Sequence, residues 1–217
     1  MKIGILRFPG TNCDFDIYEM VKAKNHEPVW LWHQDQFQMN DVDQILVPGG
    51  FSYGDYLRCG ALAAKSPVMK STLEFAKKGK PILGICNGFQ ILCESGLLPG
   101  VLLRNKNLKF IDKWVNLKLE NSNPYFYAHA TQTRIKLPVA HGEGRYYLPT
   151  EELKRVQDQG QIWFSYEEDI NGSLSQIAGV MSPEKNVAAL MPHPERALWE
   201  WMGCVDGYSF LADRGSL

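Results

Sequence analysis

The sequence predicts an α/β fold: a doubly wound, mainly parallel sheet with helices on both faces and a small antiparallel addition. Two observations predict it. Short apolar runs alternate with helix-period segments through residue 95, each closed by Gly, Pro or Asn, which is the order of βαβ units. The middle of the chain then changes character, to strand-like segments separated by polar and Pro-containing turns.

Residues 3–8 read as the first strand, closed by Pro9-Gly10-Thr11-Asn12, whose polar side chains can cap the following helix. Ile17, Met20 and Val21 mark that helix's apolar face, and Asn25-His26 ends it. Residues 29–32 and 45–47 are the second and third strands, the latter stopped by Pro48-Gly49-Gly50. A helix is predicted over about 61–78, with Gly79-Lys80 leading out. Residues 82–85 are apolar without alternation and read as a buried strand, whereas Phe89, Leu92 and Cys93 share a helical face that Gly96 and Pro99 terminate. Residues 110–119, 131–137 and 161–166 favour strands, 187–191 a last buried strand, and 206–211 a short C-terminal helix. With no repeat, low-complexity tract or linker, one domain is expected over 1–217.

Composition narrows the function classes. An apolar content of 45%, a charged content of 22% and a net charge of −1 suit an ordinary globular protein and give no sign of a nucleic-acid groove or an anionic membrane surface. Five cysteines without a C-x-x-C pair point to a reducing compartment rather than a disulfide or zinc framework. The chain runs straight into a strand with no signal peptide, so a cytoplasmic protein is expected, and Asn171-Gly-Ser is an incidental sequon.

Cys86 stands where the buried strand meets the helix, with Gly84 and Gly88 two residues to either side. This is a Gly-x-nucleophile-x-Gly elbow with sulfur in place of a hydroxyl. The helix N-terminus aimed at the sulfur favours the reactive thiolate, and the Asn87 N–H becomes one oxyanion donor. A buried structural cysteine is the bland alternative. Met191-Pro-His-Pro-Glu-Arg196 follows the last strand. Prolines flanking His193 hold it extended, so Glu195, two residues on, faces the same way and can take Nδ1–H, leaving Nε2 for the sulfur. The histidines show no metal-ligand spacing, so no metal is expected. The Gly49-Gly50 loop can offer the Gly50 N–H as a second oxyanion donor, and no Walker Lys-Ser/Thr follows it to make a phosphate cradle.

With these pieces assembled, the chain resembles the class I glutamine amidotransferases: Gly84-Ile-Cys-Asn-Gly-Phe-Gln90 is similar to their nucleophile motif and His193-Pro-Glu195 to their His-x-Glu pair. The resemblance extends to one branch, the glutaminase subunits of phosphoribosylformylglycinamidine synthases. It runs through residues 8–14, 49–61, 104–106, 139–144, 170–173, 177–179 and 206–207, and the long Gly49-to-Ala61 string is more specific than the triad. This resemblance implies a flavodoxin-like fold, a Cys86–His193–Glu195 triad, and a glutamine pocket involving Gly50, Phe51, Gln90 and, opposite, His141, Gly142 and Glu143. It implies no cofactor in this chain. The same resemblance implies that ATP and Mg²⁺ belong to a large partner subunit that converts formylglycinamide ribonucleotide (FGAR) to formylglycinamidine ribonucleotide (FGAM) in de novo purine biosynthesis, often with a small third subunit. The chain itself has no P-loop and no Mg²⁺-carboxylate cluster, so its ammonia must pass to that partner. Arg58, Arg104, Lys106 and Lys109 are candidates for the docking face. Departures within Gly203-Cys-Val-Asp-Gly207 are expected to affect C-terminal packing and leave the chemistry untouched. The rivals are the glutaminase subunit of another amidotransferase, a related cysteine hydrolase on the same fold, and a non-enzymatic binding module.

Overall fold

The structure, a computed structural model, describes residues 1–212; the last five residues of the expected 1–217 domain lie outside the described residues. Five strands form the parallel half of a nine-stranded sheet: β1 (Lys2–Arg7), β2 (Glu27–Trp32), β3 (Gln44–Val47), β4 (Ile82–Ile85) and β11 (Val187–Leu190). Their spatial order is β2-β1-β3-β4-β11, every pairing parallel. β3, β4 and β11 are buried at every residue, as expected of short apolar runs covered on both faces.

Beyond β11 the same sheet continues antiparallel through β10 (Ile177–Met181), β9 (Ile162–Tyr166), β6 (Ile111–Leu119) and β7 (Arg134–His141). The antiparallel addition is therefore four strands wide, accompanied by a separate ribbon of β5 (Val101–Leu103) and β8 (Arg145–Tyr147). β7 alternates exposed and buried positions from Arg134, and its eight-residue pairing with β6 carries it past the predicted end at 137 to His141.

The helices are α1 (Asp14–Ala23), α2 (Pro67–Lys77), α3 (Asn87–Glu94) and α4 (Thr150–Asp158). The predicted helix over 61–78 is broken: Ala63–Lys65 form a 3-10 turn, Ser66 is extended (φ −68°, ψ 156°) and α2 begins at Pro67. Proline excludes the preceding residue from the helical region and fits the first helical position itself, so the break belongs where it falls. Capping by the Thr11-Asn12 turn does not occur. Cys13 occupies the N-cap without a side-chain bond, and Thr11 Oγ1 instead accepts the Phe8 N–H (3.0 Å). The C-terminal segment predicted as a helix is a 3-10 turn, Asp206–Phe210. β1, β3, β4 and β11 run parallel, so the loops after Arg7, Val47, Ile85 and Leu190 all leave one edge of the sheet. Ligands of such sheets bind at that edge.

Candidate active site

Cys86 closes β4 at φ 51°, ψ −106°, a conformation that non-glycine residues rarely adopt, and caps α3. Its neighbours permit the turn. A Cβ on Gly88 would lie 1.9 Å from the Val47 carbonyl oxygen, and one on Gly84 would lie 2.9 Å from the Gly88 backbone, so α3 can cross the strands this closely only over bare Cα atoms. The Cys86 N–H donates to Leu190 O (2.9 Å), tying the elbow to the strand that precedes the His-Pro-Glu segment.

His193 and Glu195 are fully buried, and His193 Nδ1 donates to Glu195 Oε1 at 2.6 Å. The means differs from the expected extended segment. Pro194–Arg196 form a 3-10 turn with Pro194 at its first position, where its fixed φ suits a helical start, and the turn folds Glu195 back onto the ring. The His193 N–H is anchored to Pro138 O of β7 (2.8 Å). A Cβ on Gly49 would meet His193 Cε1 (2.9 Å), Cys13 Sγ (3.1 Å) and Cys86 Cβ (3.4 Å), which places the imidazole and both thiols around one glycine. Nε2 makes no close hydrogen bond among the described residues, yet Cys86 and Cys13 both lie near enough to act on the ring's charge. Burial opposes charging of His193, but the Glu195 carboxylate and the two sulfurs outweigh it and raise its pKa well above the ordinary value.

The C-terminal segment reaches this turn directly through Gly207, one of the residues that carry the family resemblance. A Cβ on Gly207 would lie 1.9 Å from the Pro194 carbonyl oxygen, and the Gly207 N–H bonds to Ala197 O (2.9 Å). Gly207→Ala is therefore expected to push the His-Pro-Glu turn off its position. Thermal unfolding should show Tm lowered by several degrees, about 2–4 °C per kcal/mol, and turnover of any substrate using His193 should fall with it.

Around the elbow lies a cleft of about 510 Å³ that gathers every residue assigned to the pocket: Gly50, Phe51, Cys86, Gln90, His141, Gly142 and Glu143. Gly50 sits at φ 140°, where a Cβ would lie 2.7 Å from Asn12 N, so the loop's close approach requires glycine. The neighbouring Phe51 N–H is spent on Gly10 O (3.0 Å). Asn87 heads α3, where helical geometry leaves the first N–H groups without internal partners, and its side chain links Ser52 N–H to Gln90. Gln90 spans the cleft floor, accepting from Asn87 Nδ2 (2.8 Å) and donating to Glu143 O (2.7 Å).

Asn105, wholly buried, stands in the segment 104–106, where no sequence signal assigns it a role. It donates to Lys109 O and His141 O, and accepts from His141 Nδ1 and Gly144 N, fixing the 141–144 wall. Burial and the nearby His193 push the His141 pKa down to about 4, so this ring is neutral near pH 7. The unfolded chain binds the His141 proton below about pH 6.5 while the folded one refuses it, so stability falls as pH drops from there towards 4. The loss should be on the order of 3 kcal/mol, and urea midpoints across that range should be flatter in His141→Asn.

Asp55, Cys59, Leu108, Phe110 and Ala140 also line the cleft, and no motif marks them as pocket residues. Burial raises the Asp55 and Cys59 pKa values, and Glu143 adds to both. Tyr53, Asp55 and Leu57 have positive φ in this loop, a geometry that no local sequence pattern encodes. Of the basic docking candidates, Arg104 and Lys109 line the cleft, Arg104 near Glu143 (3.4 Å). Arg58 pairs with Glu94, and the Lys106 N–H bonds to Asn171 O. The cleft's rim also exposes Phe51, Leu108 and Phe110, with Tyr56 and Leu57 exposed in the adjoining loop.

Cys13, His193 and Glu195 offer ligand-type atoms within 4.8 Å of one another, although nothing in their sequence spacing suggests it. The group is poorly made for a cation. Glu195 Oε1 is taken by the ring, and the Arg196 guanidinium lies on Cys13 Sγ (3.1 Å).

The family model of the CobB/CobQ-like glutamine amidotransferase domain matches residues 1–205. Among solved structures, that of PurLQS from Thermotoga maritima matches with 43% identity and a TM-score of 0.87, covering 96% of this chain and 94% of the other. A putative GMP synthase component from Thermoplasma acidophilum matches at 15% identity and a TM-score of 0.61, over 90% and 84%. A glutamine amidotransferase from Thermotoga maritima matches at 21% identity and a TM-score of 0.61, over 91% and 77%. The last two speak for the fold alone.

Proposed function

Because this chain belongs to the CobB/CobQ-like glutamine amidotransferases, we propose that it is the glutaminase subunit of a phosphoribosylformylglycinamidine synthase. It hydrolyses L-glutamine and delivers the ammonia to a synthetase subunit that turns FGAR into FGAM. The observation that carries this reading is the meeting of Cys86 with the buried His193–Glu195 pair behind a cleft that holds every expected pocket residue. The likeness to PurLQS over nearly the whole chain favours this branch of the family over other glutaminase subunits.

In this reading the Cys86 thiolate attacks the γ-carboxamide carbon, and the carbonyl oxygen gathers negative charge between the Asn87 and Gly50 N–H groups. The His193 imidazolium, held by Glu195, gives its proton to the departing nitrogen. Ammonia leaves and a γ-glutamyl thioester remains. His193, now neutral, takes a proton from water, whose oxygen attacks the thioester to release glutamate and regenerate the thiolate. Asp55 and Glu143 within the cleft suit the substrate's ammonium group, and Arg104 and Lys109 its carboxylate.

Ammonia released into bulk water is protonated and lost to the reaction, so the cleft must face the synthetase. The exposed Phe51, Leu108 and Phe110, interspersed with Arg104 and Lys109, suit such a face. ATP and Mg²⁺ are assigned to the synthetase, with a small third subunit completing the complex in the cytoplasm. No helix among the described residues is long and apolar enough to cross a membrane. The test is glutamine-dependent FGAM formation with the purified synthetase subunit. Synthesis supported by ammonium salts but not raised by this chain plus glutamine would exclude the assignment.

A further inference from the structure

A second cavity, of about 410 Å³, is bordered by Asp16, Glu19, Glu195, Trp199, Trp201 and Met202. Apart from Glu195, these residues have no part in the reaction above. The two indoles stack with centroids 5.8 Å apart and planes 10° from parallel, and Trp201 is 78% exposed, so aromatic surface stands open to solvent beside the cavity. Glu195 is fully buried, with Oε1 committed to His193, while Oε2 has no hydrogen-bond partner among the described residues. A buried carboxylate oxygen without a donor is an unmet acceptor. Asp16 is already answered by Arg196 Nε (3.1 Å), which leaves Glu19, exposed on α1, and the second oxygen of Glu195.

We propose that this cavity binds a guanidinium group. A planar cation stacks on an indole face, and its fork of N–H donors matches carboxylate oxygens. Three bordering carboxylates disfavour an anion, and a purely apolar ligand would leave Glu195 Oε2 unmet. The group can arrive on a small molecule or on an arginine side chain of the synthetase, and the recognition chemistry is the same. Because the other oxygen of Glu195 holds the imidazole, occupancy draws carboxylate charge away from His193 and slows turnover. That consequence rests on the function proposed above; the binding itself does not.

The probe is agmatine, titrated into the whole chain while tryptophan fluorescence is followed, with N-carbamoylputrescine as control, which keeps the chain and its ammonium but replaces the guanidinium with an uncharged urea. A saturable change is expected with agmatine alone, weakened roughly tenfold in Trp201→Ala and in Glu19→Gln. Glutaminase activity is read in the same samples, and a binding curve with turnover unchanged would remove the coupling to Glu195 while leaving the site. Agmatine that weakens association of the synthetase with wild type, but not with Trp201→Ala, identifies the guanidinium as the synthetase's own. Binding without competition identifies a small cation. An equal response to the urea analogue, or a response unchanged in both variants, overturns the proposal. So does the absence of any saturable change when the synthetase also binds both variants as it binds wild type.

Discussion

Cys86→Ala is expected to reduce glutamine hydrolysis roughly a millionfold, to the small residue that oxyanion donors and binding alone sustain. The size follows from what the elbow does. Cys86 holds φ 51°, a strained value that costs on the order of 1–3 kcal/mol and is retained because three separate contacts over-determine it. These are its N–H on Leu190 O, its carbonyl at the start of α3, and the bare glycines on either side. Alanine has the same backbone tolerance as cysteine, so the turn should survive and only the sulfur be lost. Tm should therefore move little, which separates loss of the nucleophile from loss of fold. Ammonia release measured in the variant at more than about a thousandth of the wild-type rate, the scale of what the oxyanion donors supply, would end the case for a covalent thioester. A glutamine-analogue electrophile should label wild type at one site per chain and leave Cys86→Ala unlabelled.

The parallel half of the fold is legible along the chain because its signals are local. Apolar runs at Ile45–Val47 and Ile82–Ile85 are too short for helices and too unbroken for half-exposed strands. β10 is hidden because Gly179 interrupts its apolar run. A Cβ there would lie 2.6 Å from Ala189 O, a requirement set by a neighbouring strand and invisible along the chain. α4 is hidden because only Val156 of its residues is buried, giving little periodicity to read. The site divides the same way. Cys86, His193 and Glu195 each carry a motif around them, whereas Asn105 and Cys13 matter through partners 36 and 183 residues away. Gly207 stands out in the sequence but its consequence does not, since nothing in Asp206-Gly207 says that Pro194 O lies 1.9 Å from where a side chain would begin.

Glu195→Gln should cost about 10⁴ in kcat, with the chain still folded. The carboxylate does two things for His193: it takes Nδ1–H at 2.6 Å, and it supplies negative charge that holds the ring protonated against burial. A neutral amide of the same shape keeps the packing but withdraws the charge and can present its NH₂ to Nδ1, selecting the wrong tautomer. The imidazolium then gives up its proton at lower pH, and the thiolate–imidazolium pair loses its support. Stability reads the same change with a definite sign. In wild type the folded His193 pKa stands well above the unfolded value near 6.5, so between the two the folded chain holds a proton that the unfolded chain has released. The resulting stabilisation is complete below about pH 6.5 and is lost as pH rises through the folded value. Removing the charge should flatten this alkaline decline, visible as urea midpoints that converge between wild type and variant as pH increases. The acidic decline set by His141 should remain in both. A variant that kept wild-type kcat together with the wild-type slope above neutrality would show that Glu195 neither orients nor charges the ring, and the triad would not stand.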